Sequence, residues 1–264
     1  MKGIVLFILL VSVFYSGWQA WQHTAALDQH NHYLAEQGQV FKKIWLNVGS
    51  FLDWATLNKF GFAKDEVEKI KESQTAADSH YKMASVYTSI FVILSIVCGI
   101  LSSYIAMRMT VFVLSLIAIV CLVIGVITPI ITITAFNDFP VIGETILKFQ
   151  SKSILTTIQT LFSTGNLLLG IIVLLFSVII PAIKSIILLV ISFIKDKYLS
   201  QQLNKIIGWI GKWSMVDVFV LALLVTIFVL QADKGTDASL MIGGYFFAAY
   251  ALLSMAIPVF VTRS

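Results

Sequence analysis

Six long apolar segments constrain this chain more than any other feature of its sequence. A helix needs about 20 mainly apolar residues to cross the hydrocarbon layer of a bilayer, and five of the six are long enough or nearly so. Only 12% of the residues are charged, against about 25% in soluble domains. We therefore predict an all-α polytopic membrane protein with six transmembrane helices. The segments are Ile4–Trp18, Ala84–Ala106, Val111–Ala135, Leu167–Ile194, Ser214–Leu230 and Tyr245–Val261.

The first segment has two interpretations. A short apolar run behind Lys2 is typical of a signal peptide, but the residues Gly17–Trp21 that follow make a poor cleavage site. Trp18 and Trp21 are typical of anchors at the membrane interface. We favour an uncleaved span and keep a cleaved signal peptide as the alternative.

Basic residues predict the orientation, because cytoplasmic loops carry an excess of Lys and Arg. If the N-terminus is inside, the inside segments contain seven basic residues and a single acidic one, Asp196. The basic residues of the two short outside loops are Lys148, Lys152 and Lys234. We expect a bacterial inner membrane protein with both termini in the cytoplasm. This topology explains the net charge of +4 without a nucleic-acid partner. The inside basic residues are Lys2, Arg108, Lys195, Lys197, Lys205, Lys212 and Arg263.

The segment Gln19–Met83 is predicted to be a long extracytoplasmic loop. Within it, Lys64–Lys82 indicates a polar helix that runs into the second span. His23, His30 and His32 lie close together in the sequence, but their spacing is a weak metal-ligand pattern. We expect solvated histidines and no metal or other cofactor. Cys98 and Cys121 lie in apolar runs and form no metal-binding pair.

Between the fourth and fifth spans, apolar residues recur at helical spacing from Leu199 to Trp213. The stretch lies on the cytoplasmic side in the predicted topology, which favours an interfacial helix in the headgroup plane. Trp209 and Trp213 would be its interfacial anchors.

Two charged side chains, Lys184 and Asp217, fall inside the spans. A charge at the bilayer centre costs roughly 2.5–3.5 kcal/mol on insertion scales, and such residues usually face a bundle interior. Ser177 shares a helix face with Lys184 because the two are seven apart, and Ser214 shares one with Asp217. With Ser254 of the sixth span they predict a polar cluster. Two purely structural alternatives remain. Lys184 and Asp217 could form a buried pair that only fixes helix register, or Asp217 could lie at the membrane interface.

Prolines and β-prone residues predict irregularities in the spans. Pro181 should kink the fourth span and free the carbonyl of Ser177, and Pro129 and Pro258 have comparable positions in the third and sixth. The run from Ile130 to Thr134 is β-prone, so the third helix should stop early and a short strand should follow. Ser153–Phe162 indicates a short amphipathic helix that ends in the break 163–166.

Several motifs in the C-terminal part resemble the paraquat-inducible protein A family. LFSTGNLLLG at 161–170 is followed by FSVIIPAIK at 176–184, then by GKWSMVDVF at 211–219, the most specific match. GYFFAA at 244–249 and LLSM at 252–255 fit the family's last span. The resemblance covers roughly Val111–Val261, one four-span module.

The resemblance implies a tetraspanin-like module with a small extracytoplasmic β element. It also implies a role in moving phospholipid between envelope membranes with an MCE-type periplasmic partner. The family's polar core would map onto Ser177, Pro181, Lys184, Ser214, Asp217 and Ser254. The better-known members carry two modules and zinc-ribbon cysteines, whereas this chain has one module and no zinc ribbon. We divide it into an N-terminal extension, residues 1–109, and the module, residues 110–264. A second module could be supplied by homo-oligomerisation, or the two extra spans could take its place.

Two functions follow as hypotheses. The first is a lipid-transport component whose partners are membrane lipids and an MCE-domain protein. The alternative is a non-transporting scaffold or auxiliary subunit of another membrane complex. We do not expect an enzyme, because the spans and inner loops have no paired carboxylates, nucleophile elbow, phosphate-binding glycine loop or metal-ligand cluster.

Overall fold

The computed structural model describes residues 2–37, 64–139, 143–194, 202–203, 205 and 236–263. The predicted fifth span, with Ser214 and Asp217, lies outside the described residues. So do Trp209, Trp213 and nearly all of the predicted interfacial helix, of which residues 202, 203 and 205 are helical.

Seven helices and three strands make up the described part of the chain. In chain order they are α1 (Lys2–Gln37), α2 (Lys64–Ser103), α3 (Met107–Ile127), β1 (Ile131–Phe139), β2 (Gly143–Lys152), α4 (Ile154–Ser163), α5 (Leu167–Leu174), α6 (Ile180–Phe193), β3 (Thr236–Leu240) and α7 (Ile242–Arg263). A π-helical turn, Leu175–Ile179, joins α5 to α6.

Five described helical stretches are long and apolar enough to cross a membrane, and they confirm five of the six predicted spans. By length and composition the chain is a multi-pass membrane protein. The five are Gly3–Asn31, Lys71–Ser103, Met107–Ile127, Leu167–Phe193 and Ile242–Val261.

The first helix is much longer than its apolar segment. We expected the loop to begin at Gln19, but α1 continues to Gln37, so the first part of the predicted outside loop is helical. The reason is local: residues 19–37 contain no Gly or Pro, the residues that most strongly end helices. The predicted polar helix at Lys64–Lys82 is confirmed, and it runs without a break into the second span.

Helices α1 and α2 form an antiparallel hairpin with a strict seven-residue repeat. His23 meets His80 and Gly17 meets Phe91, which fixes the antiparallel direction. A repeat of seven keeps one seam of each helix facing the other, as in a coiled coil. The buried seams are Leu6, Val13, Ala20 and Leu27 on α1, and Ala77, Ala84, Phe91 and Cys98 on α2.

The third helix ends before its proline, as predicted. Thr128 is extended, with φ −79° and ψ 154°, because a residue before proline is disfavoured in helical geometry. The strand β1 then starts at Ile131 and is the centre of an antiparallel sheet of order β2-β1-β3. Ile131 pairs with Lys152 on one side and Leu240 on the other. The expected short strand is therefore part of a three-stranded sheet.

The sheet joins the end of α3 to the start of α7. The Met241 amide donates to the carbonyl of Ile130 at 2.8 Å, and the Gly243 amide donates to that of Pro129 at 3.0 Å. Further into the membrane, the backbone of Phe247 lies so close to Gly125 that a Cβ there would be 2.8 Å from its nitrogen. Helices α3 and α7 are thus packed backbone to backbone, which small residues permit.

The short helix α4 and the break after it match the sequence prediction. The Ser153 side chain accepts from the amide of Thr156, and the Thr156 side chain accepts from that of Ser153, which makes a reciprocal capping box. Gly165 has φ +80°, a left-handed conformation that glycine adopts without steric cost. The chain can therefore turn sharply into α5.

Candidate functional site

Lys184 is the most unusual side chain of the described spans, because it is a cation that is 95% buried. Its exposed fraction is 5%, and it lies within the span Leu167–Phe193. The ammonium Nζ donates to the hydroxyl Oγ of Ser254 at 3.4 Å. The Ser254 hydroxyl in turn donates to the carbonyl of Ala251 at 2.9 Å. The structure thus brings together two predicted members of the cluster, from α6 and α7.

The π turn is how the fourth span accommodates Pro181. The amide of Ile180 bonds to the carbonyl of Leu175, five residues back instead of four. Single π turns of this kind occur inside α-helices and cluster at functional sites. Ser177 is buried within the turn, and Pro181 is buried just after it. The predicted irregularity is present, but it begins before Ser177 and the helix continues through it.

A triangle of hydroxyl bonds holds Pro181, two residues after the π turn. The hydroxyls of Ser185 and Tyr250 each donate to the carbonyl of Pro181 at 2.9 Å, and their oxygens lie 3.3 Å apart. Tyr250 is fully buried. Because Tyr250 and Ser254 lie one turn apart on α7, the same face of α7 bonds to Pro181 and to Lys184.

The sequence interpretation missed Tyr250 and Ser185. A signal for Tyr250 was present, since it precedes Ser254 by four residues and therefore shares its helix face. Ser185 is next to Lys184, and its hydroxyl makes the bond to the carbonyl four residues back that any helical serine can make, so nothing in the sequence marks it. Ser214 and Asp217 lie outside the described residues, so the Lys184–Asp217 pairing stays a prediction.

The chemistry of this cluster is that of an anion-binding or helix-fixing site. An ammonium beside a hydroxyl can hold a phosphate or a carboxylate. Among the described residues, no group of three or more His, Cys, Asp and Glu side chains could hold a metal ion.

A second polar group lies on the α1–α2 hairpin, where half-buried histidines contact one another. His23 Nδ1 is 3.0 Å from His80 Nδ1, and the ring of His30 stacks on His80 with centroids 5.7 Å apart. His23 also stacks on Tyr87 at 5.6 Å. His23 and His30 of α1 thus contact His80 of α2 across the hairpin. His80 was not identified from the sequence, because no neighbouring residue in the sequence indicates this contact. The side chain of His32 lies outside the described part.

Comparison with known proteins matches the C-terminal part of the chain to a protein family. A family model described as "Paraquat-inducible protein A" matches residues 109–263. The match begins in the first turn of α3 and includes the sheet and the Lys184 cluster, whereas the α1–α2 hairpin precedes it. Neither the curated proteins nor the solved structures gave a significant match.

Proposed function

Because the chain belongs to the paraquat-inducible protein A family, we propose that it is an inner-membrane component of an envelope lipid transport system. Its cargo would be phospholipid, and its partner would be an MCE-type periplasmic protein. The buried polar cluster would be the part of the molecule that acts on the lipid.

The buried ammonium of Lys184 is the observation that carries this proposal. An ionisable group inside a transmembrane bundle is costly, and such residues often mark substrate or ion pathways. Here Lys184 lies in the regular helix α6, five residues after the π turn ends at Ile179. A cation at this point is suited to the phosphate of a lipid headgroup, since charge-assisted hydrogen bonds to phosphate are among the strongest in proteins.

The cluster would act as a unit with the residues of the fifth predicted span. We propose that Asp217 is the counter-ion of Lys184 and that Ser177, Ser214 and Ser254 supply further hydroxyls. In this arrangement a headgroup phosphate would compete with Asp217 for the ammonium. Binding would then be coupled to a change in the Lys184–Asp217 pair.

We propose further that the sheet faces the periplasm and that both termini are cytoplasmic. The basic residues of the predicted inside segments support this orientation. Arg108 lies beside the α2–α3 turn, at the end of the bundle opposite the sheet. In this orientation the sheet is the surface available to an MCE-type partner.

One observation favours the alternative, a non-transporting scaffold. Several hydroxyls in the cluster are bonded within it: Tyr250 and Ser185 to the Pro181 carbonyl, and Ser254 to the Ala251 carbonyl. Buried polar groups that satisfy one another can serve only to fix helix register. The scaffold hypothesis predicts that loop changes abolish function while Lys184→Ala does not.

The test is a crosslinking pull-down of the tagged chain from native membranes, with lipid mass spectrometry of the eluate. Lys184→Met removes the charge but keeps a long side chain, and Ile183→Met changes the adjacent residue, which is 46% exposed. The transport proposal predicts an MCE-type protein and enriched phospholipid with wild type and Ile183→Met, and loss of the lipid with Lys184→Met. Recovery of another membrane protein without enriched lipid would favour the scaffold.

A further inference from the structure

An apolar trench lies between α2, α3 and α7, at the end of the bundle away from the sheet. Its volume is about 320 Å³, and it is open along one side. Nine of the residues that the structure describes line it, and apart from Ser95, Ser103 and Thr110 these carry no polar side-chain group. Leu114 of α3 and Leu253 and Phe260 of α7 form the walls opposite α2.

The floor of the trench is a stripe of small residues on α2. Ser95, Gly99 and Ser103 lie four residues apart, so they occupy one helix face. A methyl group on Gly99 would lie 3.3 Å from Cδ2 of Leu114, so the depth of the trench depends on glycine here. The hydroxyl of Ser95 is buried without a hydrogen-bond partner. Small residues at this spacing usually admit a close neighbour, and the trench leaves that place open.

Its shape and surroundings identify the occupant. The stripe extends for about 12 Å at about 1.5 Å per residue, which suits a length of hydrocarbon chain. Ile96, on the trench wall, is 57% exposed, so the open side faces the lipid. At the other end, Thr110 lines the trench two residues after Arg108, which is exposed. An arginine at headgroup level favours phosphate.

A second copy of the chain fits less well. Nine lining residues are few beside the roughly 20–30 residues that each partner contributes to a stable protein interface. We propose that the trench binds one acyl chain of a phospholipid whose phosphate lies near Arg108.

The inference rests on the proposed function for its substrate class, and it connects the N-terminal extension to that function. Helix α2 precedes the family match, which begins at residue 109, so the trench exists only where the extension meets the module. Leu253 lines the trench, and the next residue, Ser254, bonds to Lys184. A single helix, α7, therefore separates the acyl chain from the polar cluster.

The experiment is photolabelling of the full chain in phosphatidylglycerol and phosphatidylethanolamine nanodiscs. The probe is phosphatidylglycerol with a diazirine on one acyl chain, and the labelled positions are found by peptide mass spectrometry. We expect labels to concentrate on the α2 and α7 residues of the trench. Ser95→Leu should reduce them several-fold by filling the trench. Ile93→Phe is the matched control, because Ile93 is 61% exposed and lies outside the lining, and it should leave them unchanged.

The proposal is overturned by labels spread evenly over the lipid-facing helices, or by labels that Ser95→Leu does not reduce. If Ser95→Leu fails to fold, the smaller change Gly99→Ala replaces it, and the same reduction is expected. Efficient disulfide crosslinking between copies carrying Ile96→Cys would instead identify a second copy as the occupant and also overturn it. Labelling requires no transport partner. The pull-down could recover neither an MCE-type protein nor enriched phospholipid while the trench is still labelled. That outcome would contradict the proposed function but still support the acyl-chain site.

Discussion

The hydroxyl of Tyr250 donates to the carbonyl of Pro181 at 2.9 Å, and this bond links the last described helix to the first turn of α6, just after the π turn. Ser185 of the same helix as Pro181 bonds to that carbonyl too. The position of Lys184 beside Ser254 thus depends on a contact made one turn earlier on α7. Tyr250 is in our view a positioning residue for the cluster.

Tyr250→Phe should therefore lower stability while keeping the fold. The carbonyl of Pro181 keeps its bond from Ser185, so we expect a loss of about 1 kcal/mol, the usual size for one hydrogen bond. The measurement is the thermal unfolding midpoint of the purified protein in detergent. Tyr245→Phe is the control, because Tyr245 lies on α7 but is 56% exposed. Equal midpoints for the two variants would contradict this role of Tyr250.

The Lys184–Asp217 pair is tested by a double-mutant cycle. If the two side chains share a site, Lys184→Ala and Asp217→Ala should each impair function, and the double variant should be little worse than either. The readout is the phospholipid recovered in the pull-down, normalised to the amount of protein. Two losses that add on a logarithmic scale would show that the residues act independently.

Gly243→Ala tests the junction between the sheet and α7. A Cβ at this position would lie 2.6 Å from the carbonyl oxygens of both Thr128 and Pro129. Backbone atoms cannot move aside cheaply, so we expect destabilisation of about 1–3 kcal/mol, the range for overpacking. Gly3→Ala is the control, since nothing lies within 4 Å of the Cβ there. An unchanged unfolding midpoint for Gly243→Ala would mean that α3 and α7 are less tightly joined than these backbone distances at Gly243 indicate.

The sequence predicted those elements whose causes are local. The start of α2 at Lys64, the early end of α3 and the capped helix after Ser153 follow from helix formers, a proline and a capping box. The length of α1 was underestimated because hydropathy marks where a helix meets lipid and not where it ends. A helix that leaves the membrane continues until a breaker stops it.

What the sequence could not predict depends on contacts between distant segments. Pairing of β1 with β3 joins residues that are about a hundred positions apart, and the His23–His80 contact requires the hairpin register. Lys184, Ser177 and Ser254 could be named from their chemistry in an apolar span. Tyr250 could be placed on the same helix face as Ser254, but its role could not be predicted, because it depends on the carbonyl of Pro181 and the close approach of α6 and α7. The trench likewise exists only where three helices meet.

Ala84→Leu tests the seven-residue seam of the α1–α2 hairpin. Ala84 is fully buried, and its neighbours along the α2 seam, Ala77 and Phe91, are buried as well. Inserting a larger side chain into a packed seam should destabilise by about 1–3 kcal/mol. Ser85→Leu is the control, because Ser85 is exposed and the same side chain there faces outward. Thermal unfolding in detergent should separate the two variants. If Ala84→Leu unfolds at the same temperature as Ser85→Leu, the two helices are not held by this seam.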